Sequence, residues 1–118
     1  MQLEITQMLK RLYQTEKNLN TLRSKIFQVK ERMICKEVSA EIQVQKEFSN
    51  QRTNKEFRES YKQHLLIEDT EYQQLKQEHH SLLKQIEDLE AYRRYLERLY
   101  ELLSNGIIGK EVIENVEL

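Results

Sequence analysis

The side chains able to do chemistry are few and scattered along this sequence. His79 and His80 are adjacent. On a helix they point about 100° apart and could not share a metal without further ligands. The sequence has no H-E-x-x-H pattern, no cysteine pair and no glycine-rich phosphate loop. Cys35 is the one cysteine; it cannot close an internal disulfide and points to a reducing compartment. It reads as a neutral position beside a helix seam, a redox or crosslinking role being the sharper alternative. His79 reads as a tolerated polar residue, with a pH-sensitive site as its sharper alternative. Tyr92-Arg93-Arg94-Tyr95 joins cations to rings, as single-strand nucleic-acid sites do. Glu90 and Glu97, however, each stand four residues from one of those arginines, so pairing within a helix accounts for them. No catalytic, cofactor-binding or metal-binding residue is assigned. The expectation is a non-enzymatic protein without a cofactor.

Helices must carry these residues. The chain has 118 residues, no proline and two glycines, Gly106 and Gly109, so nothing in residues 1–105 demands a helix break. A charged fraction of 33% matches the composition of long surface-exposed helices. The net charge of −1 gives no global attraction to nucleic acid or acidic membranes. No apolar run approaches the roughly 18 residues of a membrane span, and the N-terminus lacks a signal-peptide layout. The expected location is the cytoplasm, or the nucleus in a eukaryote, without a membrane partner.

Two heptad seams are present. Ile5, Met8, Leu12, Thr15, Leu19, Leu22, Ile26, Val29 and Met33 alternate three and four residues apart, with Thr15 the polar exception. Such a mean spacing of about 3.5 keeps one stripe facing a partner helix. After Met33 the phase slips. Lys36 and Gln43 fall on seam positions while Ile34, Val38 and Ile42 step by fours, which reads as a stutter. The second seam runs Tyr61, Leu65, Glu68, Tyr72, Leu75, His79, Leu82, Ile86, Leu89, Arg93, Leu96, Tyr100, Leu103, with Glu68, His79 and Arg93 as its flaws. Between the seams, residues 49–56 carry no apolar side chain. They are rich in the Ser, Thr and Asn that favour caps and turns, and Thr53 followed by Glu56 fits a capping box.

The expected fold is therefore all-α: a long antiparallel two-helix coiled-coil hairpin over residues 1–104, able to dimerise into a four-helix bundle. Helix one spans about 2–49, the turn about 50–54 and helix two about 55–104, followed by a tail over 105–118. Charge supports the fold-over. Residues 10–36 carry eight basic against two acidic side chains, and residues 66–90 carry seven acidic against two basic. Folding at about residue 52 places residue i opposite about 104 − i and sets the basic block against the acidic one. Flanking charges select partner and orientation in coiled coils, although each exposed pair adds only about 0–1 kcal/mol. One unbroken helix, paired antiparallel with a second chain, would give the same facing.

Apolar surface exceeds one seam at the end away from the turn. Tyr92, Tyr95, Leu96, Leu99, Tyr100, Leu102 and Leu103 wrap more than half of helix two, and Leu3, Ile5, Met8, Leu9, Leu12 and Tyr13 are also too many for a seam. The hairpin would gather them into one docking patch made of Leu3, Leu9, Tyr13, Tyr92, Tyr95, Leu99 and Leu102. Asn105 and Gly106 signal a helix C-cap. In the tail beyond, Val112, Ile113 and Val116 are spaced as one face of a short amphipathic helix, preceded by a connector that holds Ile107 and Ile108 between Gly106 and Gly109. That helix would either fold back on the open end or join the partner site.

No motif names a family. The layout looks like that of several unrelated groups: small stalk proteins of type III export ATPases, tubulin-folding cofactor A, and segments of ciliary coiled-coil proteins, to which LEAYRRYLERLY (89–100) is similar in texture. The functional expectation is a protein–protein interaction module, an adaptor, stalk or scaffold subunit, acting as a homo-oligomer or in a hetero-complex. The alternative is a nucleic-acid-associated helical protein using the basic stretch 10–36.

Overall fold

A computed structural model describes residues 5–49, 52 and 54–106. Among these the protein is all-helical: 94% of residues lie in three α-helices and none in a strand. Helix α1 is Ile5–Phe48, α2 is Lys55–Glu68 and α3 is Thr70–Ser104. The 44 residues of α1 run unbroken because no proline or glycine interrupts them. The chain divides into two units, one drawing on residues 1–23 and 84–118, the other on 24–83.

In the first unit Met8, Thr15 and Leu19 of α1 are buried, as are Ile86, Leu96 and Leu99 of α3. Glu16 bonds Arg93 and Arg23 reaches Glu90, so the two segments run antiparallel here. Thr15, the polar member of the first seam, is 4% exposed. Its hydroxyl donates to the Arg11 carbonyl at 2.7 Å, which removes the cost of burying it.

In the second unit Ala40, Leu66 and Tyr72 form a core that Met33 and Leu65 complete. In this unit the end of α1 and the start of α2 lie together. Phe48 packs edge-on against Phe57 at 5.3 Å and Tyr61 at 5.0 Å between ring centroids. Arg58 Nη2 donates to the Phe48 carbonyl, one of the acceptors left open at the end of α1. The steps of four after Met33 are present, but Lys36, Ala40, Val44 and Phe48 make them on the inward side. Ile34, Val38 and Ile42 face solvent. Small Ala40 hides the seam from a reading based on large apolar residues.

Two further differences from the sequence reading concern caps. The cap of α2 is Asn54, whose Oδ1 accepts from Phe57 N at 2.7 Å; Thr53 lies outside the described residues. The second helix is also not continuous. It stops at Asp69, which holds extended backbone, φ −79° and ψ 104°. Asp69 serves both helices. Its N–H bonds the Leu66 carbonyl and its carbonyl receives Gln73 N. Its Oδ1 accepts from Tyr72 N at 3.1 Å as the N-cap of α3. Gln73 Nε2 gives the Leu66 carbonyl a second partner. Glu68, a flaw in the second seam, is thus the last residue of a helix and not a buried charge. At the far end of α3, Gly106 turns left-handed at φ 69° and its N–H returns to Leu103, a cap that glycine adopts without strain.

Asp69→Ala should lower stability by about 1 kcal/mol, the usual worth of such a cap, whereas Asp69→Asn should keep most of it. Urea unfolding followed by circular dichroism measures both. Equal losses would mean that the carboxylate's charge, not its cap, holds the junction.

Candidate partner-binding surfaces

The open-end residues expected to form one patch are distributed by the geometry of the pair. On α1, Leu9 and Tyr13 are exposed, Tyr13 to 72%. On α3, Tyr95 is exposed, Tyr92 and Leu102 are half-buried, and Leu99 is buried against its own chain. Leu3, Ile107, Ile108, Val112, Ile113 and Val116 lie outside the described residues. The Glu16–Arg93 bond marks one side of the pair. At about 100° per residue, Leu9 and Tyr13 fall within about 60° of Glu16, whereas Tyr95 and Leu102 fall about 160–180° from Arg93. Leu9 and Tyr13 share the side of the ion pairs, and Tyr95 and Leu102 take the opposite side.

Electrostatics explains the polar residues of the seams. Arg93, a flaw by sequence, is half-buried, and its Nη1 lies 2.7 Å from Glu16 Oε2. Its buried Nε has Glu97 Oε1 at 3.6 Å, beyond hydrogen-bond reach. The guanidinium's hydrogen bond holds the Glu16 carboxyl below the ordinary carboxylate range, and Glu16 in turn raises Arg93. Arg23 lies 3.5 Å from both Glu16 and Glu90.

The second unit repeats the device. Lys36 Nζ lies 2.6 Å from Glu71 and 3.2 Å from Asp69. The two hydrogen bonds raise Lys36, while the Tyr72 N–H, and then Lys36, lower Asp69. Tyr72 is buried, and its hydroxyl donates to Glu37 Oε1 at 3.1 Å. This cluster at the helix junction was not anticipated. Its signal was Asp69-Thr70-Glu71, an N-cap residue followed by an acid in the first turn. Beside it runs an open groove of about 950 Å³ whose walls include Arg32, Cys35, Lys36, Ala40, Leu65 and Leu75.

Cys35 and His80 are exposed, and His79 is half-buried on its seam. Among the described residues no group of three or more His, Cys, Asp or Glu could hold a metal ion, and no helix is long and apolar enough to cross a membrane. Within the basic stretch 10–36, Arg23 and Lys36 are spent on carboxylates. Compared with known proteins, the chain matches no family model, no curated protein and no solved structure.

Both lowered carboxylates contribute stability that is fully present above the unfolded carboxyl value, about 4. It is lost as pH falls through their lower folded values. The urea midpoint should therefore drop between neutral pH and strong acid. Glu16→Gln should lower the midpoint at neutral pH and flatten this acid dependence. A variant whose pH profile overlays the wild type would mean that the Glu16–Arg93 bond stores nothing.

Proposed function

We propose that this chain is a non-enzymatic helical-hairpin interaction module, an adaptor, stalk or scaffold subunit that binds other proteins in a larger helical assembly. One observation carries it: large apolar side chains lie on both sides of the helix pair in the first unit, Leu9 and Tyr13 on one and Tyr95 on the other. A helix pair finished as a monomer buries one stripe per helix and presents charge elsewhere. An inner member of a bundle needs apolar contacts on several sides. The antiparallel bonds within each unit support the hairpin, and the wide apolar arcs support further helices packing on it. The cytoplasm is the compartment proposed for it.

The test compares proteins captured from the source cell by immobilised wild type, by Leu9→Lys/Tyr13→Lys and by Tyr95→Lys. All three substituted residues are exposed, so helicity by circular dichroism should stay within experimental scatter. The proposal expects proteins enriched by wild type to be lost with at least one variant. An unchanged set would remove these surfaces from the account. Capture abolished by nuclease, or falling steeply with salt, would favour the nucleic-acid alternative.

A further inference from the structure

The second unit exposes a separate apolar stripe on α1. Ile34, Val38 and Ile42 are 49%, 51% and 48% exposed, one helical turn apart, and Phe27 continues the line toward the N-terminus. At about 100° per residue these four side chains occupy an arc of about 80°. It lies largely opposite the inward arc of Val29, Ala40 and Val44, which packs on the chain itself. Helix α1 is therefore apolar on two opposed faces in this unit, and only one of them is used internally.

We infer that this outer face is covered by a second copy of the same chain, packed antiparallel, α1 against α1. Two features select that occupant. The first is symmetry. Ile34, Val38 and Ile42 are evenly spaced about Val38, so an antiparallel copy with its dyad at Val38 places residue i opposite about 76 − i. Ile34 then meets the copy's Ile42, Val38 meets Val38, and Ile42 meets Ile34. Every layer is apolar, as a two-fold interface requires of its own surface. The second is charge. Glu31 and Lys46 lie to the same side of the stripe's midline, about 20° and 80° from it, seven residues before and eight after its centre. Helices related by that dyad bring the same flanks together, so each Glu31 faces the copy's Lys46 at both ends of the contact. A parallel copy would bring Glu31 close to Glu31 near the midline of the stripe. Like charges at such positions reject that arrangement. On the other flank Glu41 is already neutralised by Lys62 at 3.4 Å. Phe27 falls opposite about Ser49, at the end of the copy's α1.

This inference goes beyond the proposed function and uses none of the residues assigned to partner docking, so the two fail separately. The experiment is the mass in solution of the full chain by analytical ultracentrifugation at micromolar to tens of micromolar concentration. Wild type should be a dimer, and Val38→Lys should be a monomer of unchanged helicity. Glu31→Lys and Lys46→Glu should each weaken the dimer by about tenfold, since two symmetry-related pairs turn repulsive, and the double exchange should restore it. Direction is read by disulfide formation in a Cys35→Ser background. Ile34→Cys chains mixed with Ile42→Cys chains should crosslink to each other, and neither should crosslink alone. Leu9→Lys should leave the dimer intact. A monomeric wild type, a dimer indifferent to Val38→Lys, or Ile34→Cys chains that link to themselves would each overturn the inference.

Discussion

Two packed helices can bury only one stripe from each, and this constraint organises the molecule. Within each unit the buried residues of each helix form a single file: Met8, Thr15 and Leu19 on α1 and Ile86, Leu96 and Leu99 on α3 in the first, and Ala40 with Leu66 and Tyr72 in the second. A contact so narrow leaves every neighbouring position at least partly wet. Polar residues can therefore stand at its margin provided that they find partners. Arg93 finds Glu16, and Lys36 finds Asp69 and Glu71. These bonds add less energy than the apolar file. Their value is specificity, because a slipped register would leave a half-buried cation facing no carboxylate.

Much of this was legible in the sequence because helix periodicity and proline absence are local signals. The seam from Met8 to Leu22, the polar interval before Lys55 and the glycine cap at Gly106 all rest on such signals. What escaped depended on tertiary context. Asp69 caps α3 while sitting between residues that continue the second seam without a missed beat, so counting heptads passes over it. Ala40 takes a core position because Leu66 and Tyr72 come close enough to need a small residue. The larger Ile34, Val38 and Ile42, which periodicity alone would draw inward, are displaced to solvent. Arg93 looked like a defect until Glu16, 77 positions away in sequence, met it.

The same constraint explains why residues surplus to a seam are identifiable by type but not by the side of the pair they take. Leu9, Tyr13, Tyr95 and Leu102 were all identifiable as surplus to a seam. Which side of the pair each one takes depends on where the ion pairs lie, and that is set by the register of two distant segments. The proposed function rests on this surplus: one seam is occupied, and apolar side chains remain on other faces.

The antiparallel pairing of distant segments within one chain is the central claim, and it is tested most directly by the distance between spin labels at Lys17 and Lys84. Both positions belong to the first unit and both are exposed. Measured by double electron–electron resonance in a sample diluted with unlabelled protein, so that only intramolecular pairs contribute, the separation should be about 10–20 Å, the width of two packed helices plus label reach. An intramolecular separation near 100 Å, the length of about 67 residues of uninterrupted helix at about 1.5 Å each, would contradict the account.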